Sequence, residues 1–183
     1  EEAIEAYNKA LALKPDEVEA HKNLSFTLLN SGRLKEGLEE YEWRWKTTTN
    51  VTIKRQFSKP MWDGKETLNG KKVLLWCEQG VGDTINWSSR LPFIASQADH
   101  CILECQEKLV PLLTRAFPNF EIKAEDRRQD TQRDDFDFHL PLGSLYKHFI
   151  SEISENTKPN AFLNPDPVRI KFWRKRLESL GNG

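Results

Sequence analysis

Residues 71 to 94 read KKVLLWCEQGVGDTINWSSRLPFI, and here a short apolar run gives way to glycines, an aspartate and then helical spacing. Val73, Leu74, Leu75 and Trp76 are too few for a helix and suit a strand buried on both faces; the turn-forming Asn69 and Gly70 precede them. The pattern predicts strand, tight loop, helix. Gly80 and Gly82 are expected to let the backbone turn sharply at the strand's carboxyl end, and Asp83 to be the N-cap of the following helix.

Apolar and polar positions alternate in blocks from there on. Thr84 to Ser96 is predicted as a helix with Ile85, Trp87, Leu91 and Ile94 facing the core and Pro92 disturbing its middle. HCILECQ reads as a second strand, EKLVPLLTRAF as a helix ending before Pro118, FEIKA as a third strand, and FDFHLPL as a fourth that ends at Pro141 and Gly143. EDRRQDTQRDD reads as a solvated loop, and Ser151 to Pro167 as another loop. A last helix, Val168 to Leu180, has Ile170, Trp173, Leu177 and Leu180 on one side and basic residues on a solvated face. Such alternation specifies an α/β fold, a parallel sheet covered on both faces, with a ligand crevice outside the carboxyl ends of its strands.

Upstream the period is helical throughout. Ala3, Ile4, Tyr7, Ala10, Leu11 and Leu13 share one face of a helix that Pro15 ends. Glu2, Ala3, Ile4, Glu5 and Tyr7 recur 34 residues later as Glu36, Gly37, Leu38, Glu39 and Tyr41. This spacing resembles the tetratricopeptide repeat, with Ala3, Tyr7, Ala10 and Pro15 on the signature positions of its second helix. Leu24, Ser25 and Leu28 take those of the next first helix, Val18 to Asn30. In the second copy Arg44 replaces the small residue matching Ala10, so that copy is expected to be the last. One and a half repeats cannot build a stacked core alone, so the helices should either follow further repeats or pack on the next domain.

The expected organisation is a tetratricopeptide-like segment at 1–48, a connector at 49–70, a Rossmann-like sheet domain at 71–166 and a helix at 167–183 that leads into an absent second half. Trp43, Trp45, Phe57 and Trp62 are unusually aromatic for a flexible linker, and they predict a junction packed between the two domains.

Composition narrows the function classes. Lys plus Arg number 27 against 28 Asp plus Glu, a net charge of -1, which gives no basic footprint for nucleic acid or an anionic membrane. No run is apolar enough to span a membrane and no leader pattern opens the chain, so a cytoplasmic setting is expected. Three cysteines, Cys77, Cys101 and Cys105, do not form a disulfide framework. Cys101 and Cys105, on one strand face about 13 Å apart, are too distant to share a metal and read as core residues.

For the loop EQGVGDT, a triphosphate site would need a Gly-Lys-Ser/Thr ending, which is missing. Dinucleotide binding would need a third glycine where Ile85 stands, although Glu104, at the end of the second strand, is placed to hold a ribose. YEWRW, PMWDG, GKKVLLWCEQGVGDTINW, ILECQEKLVPLL and FDFHLPLGSL, in this order, resemble the tetratricopeptide-linked glycosyltransferases of bacteria, whose sheet domain is similar to the heptosyltransferase group, glycosyltransferase family nine. The resemblance covers about residues 38 to 180 and implies the acceptor-side half of a two-domain glycosyltransferase-B fold, with an inverting, nucleotide-sugar-dependent activity. It implies no cofactor in this part, a nucleotide-sugar donor held by the other half, and no turnover without that half.

On the resemblance, Asp83 matches the family's Gly-Asp aspartate and is a candidate general base, with helix capping as its alternative. Gly80, Gly82 and Thr84 would lie at the acceptor, as would Arg90, although Leu91 stands where the family has a tyrosine; a surface salt bridge is the other role for Arg90. His139, near the carboxyl end of the fourth strand, would assist a proton or hold a hydroxyl, or else be structural. The repeats imply a protein or peptide partner, and the acceptor would be a glycan or a protein. Two other readings stand beside this one, a non-catalytic interaction module and a dinucleotide-dependent oxidoreductase.

Overall fold

The computed structural model describes residues 1–47, 54–128, 130–149 and 161–181. The first residues of the expected connector and most of the loop expected from Ser151 lie outside them.

Three helices come first: α1 (Glu2–Leu13), α2 (Val18–Asn30) and α3 (Leu34–Tyr41), the last running into a 3-10 turn at Glu42–Lys46. Ile4, Leu24 and Leu28 form their small core, with Tyr7 and Leu11 packed against it. A Cβ at Gly37 would stand 2.8 Å from Leu29 Cγ, so only glycine lets α3 lie this close to α2. The ring of His21 stacks on Trp43 with centroids 3.5 Å apart, joining α2 to the 3-10 turn.

The sheet is fully parallel, with strands β1 (Lys72–Trp76), β2 (His100–Cys105), β3 (Glu121–Ala124) and β4 (Phe138–Pro141) in the order β3-β2-β1-β4. β1 and β2 are central, which is why their sequences are nearly continuous apolar runs. Alternate residues divide between the faces. Val73, Leu75, Cys77, Cys101, Leu103, Cys105 and Leu140 belong to the main core. It is completed by α4 (Val81–Ser88), α5 (Leu91–Ala95), α6 (Val110–Ala116) and α7 (Leu142–His148) through residues such as Trp87, Ile94, Leu113 and Leu145.

Leu74, Trp76, Ile102 and Phe136 form the core of the other face, with Trp45 and Phe57 packed on them. The aromatic junction is therefore packed structure, with Trp62 buried and Trp45 and Phe57 half-buried against the sheet. Its segment Pro60–Trp62 also covers the edge of β4, where Trp62 N–H donates to His139 O at 3.0 Å and His139 N–H donates to Pro60 O at 3.2 Å.

Three local expectations are corrected. The helix expected over Thr84 to Ser96 is two helices, because Pro92 cannot donate to a continuing ladder and instead occupies the first turn of α5. The segment around EDRRQDTQRDD is not simply solvated: Asp130 is buried, and both of its carboxylate oxygens accept from buried Arg55. Neither Gly80 nor Gly82 adopts a left-handed backbone; Gly80 is extended and Gly82 lies inside α4, so the turn there does not depend on glycine.

The last helix, α8 (Pro167–Ser179), is N-capped by Asp166, whose carboxylate accepts from Val168 N–H at 2.8 Å and Arg169 N–H at 3.2 Å. Ile170, Trp173 and Leu177 are exposed along it. Among the described residues no helix is long and apolar enough to cross a membrane.

Candidate functional site

In the order β3-β2-β1-β4, β1 connects to β2 on one side and has β4 on the other, so the sheet's switch point lies between β1 and β4. The β1–α4 loop and the start of α7 meet above it. Glu78, two residues past β1, has a fully buried carboxylate that accepts from Arg44 Nε at 2.8 Å and Arg44 Nη2 at 3.2 Å. Arg44 Nη2 also donates to Ser144 Oγ at 2.8 Å, and Nη1 donates to Glu42 Oε1 at 2.6 Å. Burial drives Glu78 above the usual carboxylate range, with the Arg44 guanidinium working against it. A Cβ at Gly143 would stand 2.3 Å from Glu78 Oε1, so glycine at the start of α7 is what admits the carboxylate.

Next to this buried pair is a cleft of about 310 Å³ between the repeat helices and the sheet domain. Leu38 and Tyr41 of α3 form one wall, Trp87 and Tyr146 the other, and Asp83 and Asn86 supply polar groups. Asp83 is the third residue of α4 rather than its N-cap, which is Gly80. Its Oδ2 accepts from Gly80 N–H at 3.1 Å, and the residue remains half-buried at the cleft. Gly80 and Gly82 are exposed beside it, and a Cβ at Gly82 would meet open space.

The other predicted site residues are placed differently. Thr84 is fully buried, with its hydroxyl 3.1 Å from both Gly80 O and Gln106 Oε1, so it ties the loop to the β2 side instead of facing the cleft. Arg90 forms no salt bridge among the described residues; its guanidinium lies over Tyr146 at 5.0 Å and Phe93 at 5.7 Å, and its buried Nε has no partner there. Tyr146 of α7 thus lies beneath Arg90, while the sequence neighbour Leu91 is core. His139 pairs in register with Leu74 in the middle of β1, away from the loop. Its ring packs against Phe57 at 4.6 Å and accepts from Trp76 Nε1 at 3.2 Å, on the sheet face opposite the main core. Burial, then Arg55 and Lys54, push its pKa down to about 4.

Glu104 is occupied as well. Its two oxygens accept from Arg55 Nη1 at 2.6 Å and from Arg133 Nη1, and the residue is buried, so its carboxylate is engaged within the fold. Three arginines thus hold buried acids at the carboxyl ends of β1 and β2, and none of these pairs was recognised in the sequence. Only Arg44 left a signal there, as a large charged residue on a repeat position that takes a small one.

The three thiols are buried; desolvation pushes Cys77 and Cys101 up to about 12 and Cys105 up to about 11. Among the described residues no cluster of His, Cys, Asp and Glu is arranged to hold a metal.

Residues 1–32 match the TPR repeat. Protein FlbA of Caulobacter vibrioides is 31% identical over 170 residues, covering 85% of this chain and 28% of that protein. The chain therefore spans little more than a quarter of the length of this relative. No solved structure matches the chain.

Proposed function

We propose that this chain is the acceptor-side part of an inverting, nucleotide-sugar-dependent glycosyltransferase, and that its tetratricopeptide segment engages the protein partner. The observation that carries this reading is the position of Asp83, a carboxylate at the carboxyl end of β1 on the wall of a cleft shared by the repeat helices and the sheet. The ordered motifs that resemble the tetratricopeptide-linked glycosyltransferases support the transferase reading, and the match to the TPR repeat supports the partner-binding segment.

The chemistry asks little of this half. A hydroxyl carried into the cleft between Tyr41, Trp87 and Tyr146 would be held by aromatic faces, with its proton directed at Asp83. A carboxylate has two oxygens, and Gly80 N–H engages only Oδ2. Capping by one oxygen would hold the other in place as a base, so the two roles proposed for Asp83 become one. Exposed Gly82 would let the acceptor approach the amino end of α4. The donor belongs to the other half, and without it nothing holds a leaving phosphate in line with the hydroxyl. Glu78 and His139 take no part in proton transfer on this reading, since the first is bound by Arg44 and the second lies on the far face.

The test uses the complete gene product and this chain side by side, with nucleotide release from a panel of UDP-, GDP- and CMP-sugars as the readout. The complete protein should release one nucleotide and this chain none. Asp83→Asn, which keeps a side-chain oxygen for Gly80 N–H, should lower release in the complete protein by about 10²- to 10⁴-fold without unfolding it. Transfer by this chain alone, or full activity in Asp83→Asn, would overturn the assignment. Folding with no transfer from any donor would favour the interaction module, the reading that the TPR repeat supports on its own.

A further inference from the structure

We infer that the last repeat is a wall of the candidate site, and that Arg44 is a positioning residue for the β1–α4 loop, acting through Glu78. This rests on the site proposed above and assigns the repeat region a second role beside partner binding.

The helices could have been a recruiting arm joined by a hinge, but their contacts with the loop are of another kind. Two consecutive loop residues are each held by one residue of the last repeat: Glu78 by Arg44, and Gln79 by Tyr41, whose hydroxyl accepts from Gln79 Nε2 at 2.8 Å. On its other side the loop is tied to the β2 end, where Gln106 Nε2 donates to Gln79 O at 2.7 Å. The segment from Glu78 to Gly80 is thus clamped between repeat and sheet immediately before the turn that carries Asp83.

Arg44 suits this work better than a lysine would. Its planar fork reaches both oxygens of Glu78 while a further N–H reaches Glu42, and the rings of Tyr41 and Trp45 each lie 4.4 Å from the guanidinium carbon. Its side chain is 4% exposed and that of Glu78 0%, so little water competes for the pair. Tyr41 also lines the cleft, so the residues that fix the loop and the residues that shape the cavity belong to one short stretch of chain.

Backbone amide hydrogen exchange on this chain tests the inference without any sugar. In Arg44→Met, exchange at Gln79 to Thr84 should rise roughly tenfold or more while amides of β2 and β3 keep their protection. Arg44→Lys should give an intermediate rise and serves if the first variant does not fold. The double variant Arg44→Met/Glu78→Met, which replaces the buried pair by apolar packing, should recover the melting temperature but not the loop's protection. Unchanged loop exchange in Arg44→Met and Arg44→Lys, or recovery of both properties in the double variant, would overturn the positioning role and leave a purely structural pair. Neither result depends on transfer, so this inference and the glycosyltransferase assignment can fail separately.

Discussion

The indole N–H of Trp76 donates to Nδ1 of His139 at 3.2 Å, and because an indole nitrogen can only donate, the imidazole keeps its proton on Nε2 and is neutral. With its pKa near 4, this histidine links stability to pH. The unfolded chain takes up the proton near the ordinary value of about 6.5, before the folded one does. The contribution is therefore complete above about pH 6.5 and is lost as the pH falls towards about 4, on the order of 3 kcal/mol in all. His148, lowered chiefly by burial, acts in the same direction. Urea unfolding at a series of pH values should show the decline, and His139→Leu should reduce its slope.

Breaking the pair between repeat and sheet should be costly. Arg44→Met leaves Glu78 buried without its cation and is expected to destabilise by about 3 to 5 kcal/mol, whereas Glu78→Met should cost less, because Arg44 keeps Glu42 and Ser144 as partners. The double variant should lose much less than the sum, since the two sites are in direct contact. Equilibrium unfolding of the four proteins gives the coupling energy directly, and an additive result would mean that the pair does not hold the repeat to the sheet.

Much of the architecture could be read because it follows from short-range pattern. VLLW is a continuous apolar run and CILEC is one broken only by Glu104, as suits central parallel strands, and the 34-residue offset revealed the repeat. The pairs that secure the site could not be read this way. Arg44 meets Glu78 across 34 residues and Arg55 meets Asp130 across 75, separations that no local pattern connects, and Asp130 sits in a segment whose polar composition reads as solvated. Asp83 was legible as a capping residue but three positions from its actual place, because a third-position carboxylate and an N-cap carboxylate leave the same local signature. Thr84 was legible as the start of a helix and His139 as a residue near a strand end, but not the faces they occupy.

Two glycines near the cleft should respond oppositely to alanine. At Gly143 the added methyl would collide with Glu78 Oε1 and lie 3.2 Å from the Trp87 ring, so Gly143→Ala should destabilise by about 1 to 3 kcal/mol. At Gly82 the methyl meets open space within a helix, so Gly82→Ala should be neutral or stabilising by up to about 1 kcal/mol. Thermal unfolding of both variants checks the contrast. Loss of acceptor binding in a well-folded Gly82→Ala protein would in addition place the acceptor beside α4.

The cysteines should be inert in the folded state. Thiolate is the reactive form, and burial holds all three groups far above neutrality. With an aromatic disulfide reagent at pH 8, labelling should be slow and should accelerate with added urea as the sheet opens. Fast labelling of the native protein at any one thiol would place that thiol at the surface.

The guanidinium of Arg44 lies where a sequence reader would draw a border between two domains. A protein engineer who cut there, hoping to transplant the sheet or to exchange the repeats for another recruiting module, would leave the buried Glu78 carboxylate without its cation. The buried pair of Arg44 and Glu78 makes the two segments depend on each other across that border. A chimera at this junction should therefore inherit the last repeat together with the sheet that it clasps.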